Sequence, residues 1–305
     1  MTVMITYQKK VHKDGHEFIE ITGYEGKVTD LVIPSEIENL PVEAVGNHAF
    51  SGRLDLRSVT LPESIRTLYG FAFHNCKSLK KISLYDSLDD YYDGVCRQCD
   101  ALDDIEITVN KSWFEVVRNF LADSDRTLRF LIHIKGEGDA CLTFPEYVYD
   151  FNENTMARTI QFTIAGSGYA YRECVDRRSI DFREYDKLFS KAVIDGSEIS
   201  QNIALGRLFY PFKLEDNYRT QYEDFVKSND AVIIERLVKE YENDQTTGRL
   251  ETVKMLLEYK NEKLLSGNAL DKALKSASSG KLTKLSAVLM SGAKGGRDTA
   301  GEFVF

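Results

Sequence analysis

Aliphatic residues recur at a step of 23 positions between residues 56 and 107 of the chain. Three columns share this step: Leu56, Leu79 and Leu102; Val59, Ile82 and Ile105; Leu61, Leu84 and Ile107. Around Val59 and Leu61 apolar and polar residues alternate, which is typical of a short strand with one buried face. Since a unit of this length cannot enclose a core of its own, the pattern predicts a solenoid of stacked parallel strands.

The same unit is present upstream with a longer loop. Residues 31–37, LVIPSEI, match residues 59–65, VTLPESI, at an offset of 28. The 23-residue step then returns in three further pairs: Val45/Leu68, Ala49/Ala72 and Phe50/Phe73. Each unit therefore reads as a strand, a proline, a link, and a turn with the pattern G-x-x-A-F-x-x-C. Proline suits the strand end because it removes a backbone donor where the ladder no longer needs one.

Three segments carry a resemblance to a known family. They read ITGYEGKVTDLVIP, LVIPSEI…VGNHAF and SVTLPESI…YGFAFHNCKSLKKI. With them, the stretch from about residue 15 to residue 110 resembles the BspA-like leucine-rich repeat family, whose members are mainly bacterial. The resemblance implies a curved parallel solenoid used for adhesion or protein binding. About three units are visible, and the third, LYDSLDDYYDGVCRQC, departs from the pattern.

After the repeats, the chain changes to a mixture of helical and strand patterns. Residues 112–124 place five apolar side chains at the spacing of one helix face: Trp113, Val116, Val117, Phe120 and Leu121. We predict a helix there that caps the open end of the solenoid. Further patterns predict strands at 127–134 and 159–174 and helices at 182–193 and 200–212.

The end of the chain contains a second repeat. Residues 248–259 align with residues 280–292 at an offset of 32. Between them Asn268 is predicted to cap one helix, and before them Asp230 is predicted to cap another. The two units resemble ankyrin-type helix pairs, whose step is near 33 residues. A helical array with another inter-helix geometry is the alternative.

Together these patterns predict an α+β multidomain fold. It consists of a short parallel β-solenoid of leucine-rich repeats, an α+β segment, and a C-terminal helical, ankyrin-like array. The predicted domains are a solenoid with N-terminal strands and a capping helix (1–125), a middle segment without an assigned role (126–215), a helical repeat domain (216–292) and a flexible tail (293–305).

The composition narrows the classes of function. The chain of 305 residues has 39 Lys and Arg against 48 Asp and Glu, a net charge of −9. This deficit of positive charge argues against sequence-independent binding of nucleic acid. The sequence contains no stretch of ~18 apolar residues, so we predict no membrane-spanning helix. Five cysteines, an odd number, do not suit a disulfide scaffold. Because the first residues, MTVMITYQKK, lack the apolar core of a signal peptide, we expect a cytoplasmic protein, or a cell-surface protein if the start site lies upstream.

The C-x-x-C motif of Cys96 and Cys99 is a candidate redox pair or half of a zinc site. The repeat offers another explanation, because Cys99 is Cys76 moved by 23 positions and Cys96 stands at the place of Phe73. We therefore predict that these thiols are buried core residues.

Other candidate motifs are equally well explained as structural. Gly166-Ser167-Gly168 is predicted to be a tight turn and not a phosphate loop, since a strand pattern follows it. The five histidines, at positions 12, 16, 48, 74 and 133, have no zinc-protease spacing. The acidic pairs Asp89-Asp90 and Asp103-Asp104 are predicted to be solvated. We predict no catalytic residue, no metal site and no cofactor.

The outward face of the strands is the predicted binding surface. Two columns of residues project from it: Arg57, Lys80 and Asp103 in one, and Thr60, Ser83 and Glu106 in the other. The helical end offers a second surface that includes Tyr241 and Tyr259.

These features favour a non-catalytic protein–protein interaction module, an adaptor or recognition protein with a protein partner. The sequence leaves the identity of the partner and the oligomeric state open. One alternative is an enzyme with its active site in residues 127–215, and another is a bacterial surface adhesin whose export signal is missing from this chain.

Overall fold

Short strands form the predicted solenoid, and they alternate between two sheets along the chain. The computed structural model describes residues 4–154, 159–245, 248–259 and 263–295. The first sheet contains β1 Met4–Val11, β2 Glu17–Glu25, β4 Glu36–Ile37, β5 Leu40–Val45, β7 Thr67–Leu68 and β9 Asp90–Tyr91, in the order β1-β2-β5-β7-β9 with β4 paired to β5. The second contains β3 Asp30–Val32, β6 Ser58–Thr60, β8 Lys81–Tyr85, β10 Asp104–Val109, β11 Leu128–Ile134 and β12 Gly138–Phe144, in the order β12-β11-β10-β8-β6-β3.

The predicted aliphatic columns form the core between the sheets. Val59 pairs with Ile82, and Ile82 pairs with Ile105, in parallel register. All three side chains have 0% exposure. Rings continue the stacking, since Phe50 and Phe73 lie parallel with their centroids 5.2 Å apart. One turn of the solenoid therefore contains 23 residues, as the sequence predicts.

The turns between the sheets repeat a left-handed backbone conformation at the same step. Gly52, Asn75 and Gln98 have φ values of +73°, +57° and +63°. A second column with positive φ consists of His48, Phe71 and Gly94, and Gly94 has φ +68°. A Cβ atom placed on Gly94 would lie 2.7 Å from the ring of Phe71. The close approach of this ring requires glycine there, and glycine also adopts the left-handed conformation without strain.

The second sheet continues past the helix that follows the repeats, and the capping role of this helix stays a prediction. Helix α1, Glu115–Asp123, occupies the link after β10, and the chain then returns to the second sheet. There β11 pairs in parallel with β10, so that Ile105 lies beside Phe130, and β12 is added antiparallel. The free edge of β10 offers unpaired backbone donors and acceptors, and β11 satisfies them. The helix lengthens the step to 25 residues, so this turn does not follow the 23-residue period.

The segment after β12 contains a hairpin and four helices. These elements are β13 Val148–Asn154, β14 Thr159–Ala165, α2 Gly168–Arg172, α3 Phe182–Lys187, α4 Phe189–Asp195 and α5 Ser197–Phe209. The predicted strand at 159–174 is correct only for its first half, because residues 168–172 are helical. Tyr171 on that short helix has 0% exposure and contacts the ring of Tyr185 at 4.7 Å. Tertiary packing thus overrides the β-propensity of the aromatic residues.

The structure divides into two compact units. The first comprises the residues up to Ser200 together with Tyr210–Leu214, and the second comprises Gln201–Phe209 and the chain from Glu215 onward. The four predicted domain ranges stay a prediction.

The second unit is helical. Besides most of α5 it contains α6 Asp216–Ser228, α7 Asp230–Asn243, α8 Arg249–Leu257, α9 Gly267–Ser279 and α10 Thr283–Gly295. Helix α7 packs against α8 and α9, and α10 packs against the same two helices. The repeat-related residues Val253 and Leu285 both have 0% exposure. The ankyrin assignment stays a prediction. No helix in the described ranges is both long and apolar enough to span a bilayer.

Two predicted helix caps are wrong. Ser266, not Asn268, caps α9, since its hydroxyl accepts the backbone N–H of Ala269 at 3.2 Å. Asp230 is the first residue of α7 and accepts the backbone N–H of Ser266 at 2.7 Å. Its carboxylate thus fixes the start of α9 by a contact distant in sequence, which no local capping pattern reveals.

Candidate functional site

The outward face of the second sheet carries a regular array of side chains. Thr60 pairs with Ser83, and Ser83 pairs with Glu106 across the parallel strands, so the structure brings these predicted residues into one column. Neighbouring strands lie about 4.8 Å apart. The scaffold therefore fixes the spacing of these side chains.

The second predicted column lies one residue before the strands. Arg57, Lys80 and Asp103 are all exposed. The Lys80 N–H donates to the Arg57 carbonyl at 2.8 Å, and the Asp103 N–H donates to the Lys80 carbonyl at 3.3 Å. These main-chain bonds hold the column at the edge of the same face.

Glu106 lies at the centre of a network of polar contacts on this face. Its carboxylate accepts from Lys81 Nζ at 2.6 Å, from Ser83 Oγ at 3.0 Å and from His133 Nε2 at 3.0 Å. Burial raises the pKa of Glu106, but the hydrogen bonds from Lys81 and His133 outweigh it and lower that pKa to about 2. The carboxylate is therefore ionised at neutral pH.

His133 bridges two acidic residues. Its Nε2 contacts Glu106, and its Nδ1 contacts Asp139 at 3.0 Å. Burial lowers the pKa of His133, yet the hydrogen bonds to Asp139 and Glu106 raise it overall above its ordinary value. With a carboxylate at each nitrogen, the ring favours the doubly protonated, charged form.

Sequence reasoning misses part of this network. The outward positions at the start of the strands form a column of Ser58, Lys81, Asp104 and Arg129. Arg129 Nη1 donates to Asp104 Oδ1 at 2.6 Å. Because outward and inward residues alternate along a strand, the burial of Val59 predicts that Ser58 faces outward, and the 23-residue step from Ser58 leads to Lys81 and Asp104. His133 and Asp139 had no such signal, because they belong to strands outside the 23-residue repeat.

The cysteines are free and buried, as predicted for the C-x-x-C pair. The thiol of Cys76 donates to the Phe50 carbonyl at 3.1 Å, and that of Cys99 donates to the Phe73 carbonyl at 2.9 Å. A hydrogen bond with Cys99 and burial raise the pKa of Cys76 far above its usual range. This column of thiols serves the packing of the turns.

The loop at Gly166-Ser167-Gly168 is closed by an acidic residue. The backbone N–H of Ser167 donates to Asp195 Oδ2 at 2.6 Å. A Cβ atom on Gly168 would lie 2.2 Å from the Pro145 carbonyl, so the turn packs tightly. The Asp195 carboxylate occupies the Ser167 amide that a phosphate would need, and its negative charge disfavours anion binding there.

In residues 127–215, the segment of the enzyme alternative, Tyr185 and Arg172 form hydrogen bonds with backbone groups. The Tyr185 hydroxyl donates to the Thr143 carbonyl at 2.7 Å and accepts the Thr143 N–H at 2.9 Å. Arg172 donates to four carbonyls: those of Ser124, Arg126, Pro145 and Gly168. These contacts have a structural role.

One of the two tyrosines named for the second surface at the helical end is buried, and the other is half-buried. Tyr241 has only 2% exposure. The Tyr259 hydroxyl donates to Glu223 Oε1 at 2.7 Å. Tyr241 therefore belongs to the helical core, because it faces the neighbouring helices and not solvent.

One group of potential metal ligands lies in the turn between β1 and β2 of the first sheet. Among the described residues, the group that could hold an ion consists of His12, Asp14 and His16. Sequence reasoning dismissed both histidines. The sequence feature that indicates their proximity is the spacing of four residues between His12 and His16, with Gly15 in the turn.

Comparisons with known proteins place the solenoid in a family. The comparison with curated proteins finds no match. A solved leucine-rich repeat protein from Bacteroides ovatus is 23% identical over 36% of this chain and 30% of its own, with a TM-score of 0.30. A leucine rich cell surface protein from Faecalibacterium prausnitzii is 19% identical over 43% of this chain and 42% of its own, with a TM-score of 0.28.

A leucine-rich repeat protein from Bacteroides capillosus is 25% identical over 43% of this chain and 94% of its own, with a TM-score of 0.31. This chain spans less than half the length of the first two of these structures. The family model of the BspA type leucine rich repeat region matches residues 24–120 with six copies. That range coincides with the stacked strands and aliphatic columns, so residues 24–120 are a BspA type leucine-rich repeat region, as the sequence predicted.

Proposed function

We propose that this protein is a non-catalytic protein-binding module whose contact surface is the outward face of β6, β8, β10 and β11. Repeat proteins of this family commonly mediate protein interaction or adhesion. The observation that carries the proposal is the register of the columns, which presents Thr60, Ser83 and Glu106 at one fixed spacing. Such a rigid array loses little side-chain entropy on binding.

The charges of the face suggest the chemistry of the partner. Lys81, Asp104, Glu106 and Arg129 bring both signs together, and each is held by an ion pair. A protein surface with alternating acidic and basic groups matches this pattern, whereas nucleic acid requires an excess of positive charge. We therefore propose a protein partner in an adaptor or recognition role.

Two lysines of the same repeat provide a matched test. Lys80 is exposed beside the face, and Lys77 is exposed on the turn, where its ammonium pairs with Asp100. The substitutions Lys80→Glu and Lys77→Glu change the net charge equally. A photo-crosslinking residue at position 60 identifies the bound protein in an extract of the source cells, and its affinity for each variant is then measured.

We expect Lys80→Glu to weaken binding about tenfold, which corresponds to about 1.4 kcal/mol, and Lys77→Glu to leave it unchanged. Equal effects of the two substitutions, or the same crosslinked proteins from position 60 and from position 77, would refute the assignment of this face.

A further inference from the structure

The turn between β1 and β2 brings two histidines together. The backbone N–H of His12 donates to the His16 carbonyl at 2.8 Å, and the N–H of Gly15 donates to the His12 carbonyl at 2.9 Å. Gly15 has φ +95°, which allows the tight reversal. The two imidazole rings stack with their centroids 5.0 Å apart.

Both rings face one carboxylate. The Nδ1 atoms of His12 and His16 lie 3.2 and 2.7 Å from Asp14 Oδ1. One ligand atom from each of the three residues lies within 4.8 Å of the others. Ligands bound to zinc at about 2.0–2.1 Å in tetrahedral geometry lie about 3.4 Å from one another, so small side-chain rotations bring these three atoms onto one ion.

A second carboxylate fixes the orientation of one ring. The other nitrogen of His16, Nε2, donates to Glu43 Oε2 on the neighbouring strand β5 at 2.9 Å. Histidines that bind metals typically donate their second N–H to a carboxylate in this way, because the contact sets the tautomer and orients the ring. Glu43 thus holds Nε2, so that Nδ1 of His16, which donates to Asp14 in this structure, is the atom that exchanges its proton for the metal ion.

Asp14 is prepared to act as an anionic ligand. The backbone N–H of His16 donates to its Oδ1 at 3.1 Å. The same bond holds the carboxylate in the turn, where Oδ1 faces both imidazoles.

We propose that His12, Asp14 and His16 bind a divalent transition-metal ion of the zinc class, with Glu43 as the positioning residue for His16. Two imidazoles and one carboxylate favour such ions over magnesium and calcium, which prefer oxygen ligands. The three side chains are 53%, 63% and 43% exposed, which leaves the remaining coordination positions to water. The ion fastens the turn of a hairpin whose first strand, β1, is the edge of its sheet.

The test is calorimetric titration of the full, untagged chain with ZnCl₂, repeated with Co²⁺ to follow its visible absorption. We expect one ion per chain. His12→Ala and His16→Ala each weaken binding by at least about tenfold, and Glu43→Gln weakens it by about tenfold or more while keeping the Co²⁺ spectrum. The control His48→Ala/His74→Ala removes two other histidines whose rings lie 6.4 Å apart, and it leaves binding unchanged.

A second control addresses the thiols. The variant Cys96→Ala/Cys99→Ser keeps binding if the ion is at the hairpin turn and loses it if the C-x-x-C motif holds the ion. Loss of binding in this variant would overturn the proposal, as would stoichiometric binding that survives both turn substitutions. No saturable binding of Zn²⁺ up to about 1 mM would overturn it as well. The fold of each variant is checked by circular dichroism.

Discussion

Replacing Leu79 by alanine tests the stacking of the repeats. Leu79 has 0% exposure and lies in a column between Leu56, with 0%, and Leu102, with 7%. The substitution removes three carbon atoms, which at about 0.8 kcal/mol for each methylene amounts to ~2.4 kcal/mol of transfer free energy. The cavity left behind adds to this cost, and buried Leu→Ala substitutions range over about 2.7–5.0 kcal/mol.

The structure places this substitution in the upper half of that range. Main-chain hydrogen bonds of 2.8 Å, from Lys80 to the Arg57 carbonyl, and 3.3 Å, from Asp103 to the Lys80 carbonyl, hold the adjacent turns at a set separation. The column therefore cannot collapse into the cavity. We expect Leu79→Ala to lower the free energy of unfolding of the solenoid by about 4 kcal/mol.

Urea unfolding followed by tryptophan fluorescence measures this effect. Trp113 is the single tryptophan of the chain and belongs to the first unit, so its signal reports on the solenoid separately from the helical unit. Leu54→Ala is the matched control, because Leu54 is 65% exposed and the same deletion there costs less than about 1 kcal/mol. If the two variants unfold at the same urea concentration, the proposed stacking of the leucine column is refuted.

Two further predictions concern polar groups of the solenoid. Asp86 has 2% exposure and accepts hydrogen bonds from the backbone N–H groups of Asn110, Lys111 and Trp113. We expect Asp86→Ala to lower the free energy of unfolding by about 3 kcal/mol and Asp86→Asn to lower it less. Equal losses of stability for the two variants in the same fluorescence assay would contradict this. His133 has a raised pKa in the folded protein, so its stabilising effect is full below its ordinary pKa and is lost as the pH rises through the folded value. The stability difference between the wild type and His133→Gln should therefore shrink from about pH 5.5 to pH 8.5, and a difference independent of pH would exclude a charged His133.

The predicted solenoid and its core follow from features that are local and repeated. A 23-residue period with apolar residues at fixed phases specifies which side chains are buried, because each turn has only its neighbours to pack against. Val59, Ile82 and Ile105 are buried for that reason. The same period correctly predicts burial of Cys96 and Cys99.

The candidate sites are only partly accessible to such reasoning. The period predicts that Thr60, Ser83 and Glu106 share a column, and the register confirms this arrangement. Their role in binding stays a proposal. The charge of Glu106 depends on Lys81 and His133, and His133 comes from a strand that the period does not reach.

The sequence by itself determined the repeat length, the buried face of each strand and the family of residues 24–120. It could do so because these properties depend on periodic burial, which leaves a direct trace in the order of residues. The tertiary structure alone decided that β11 continues the sheet beyond α1, that Ser266 caps α9, and that Glu43 orients His16. Each of these contacts is a hydrogen bond whose partner depends on the fold. Such contacts do not recur at a fixed spacing, so no periodic pattern in the sequence reveals them.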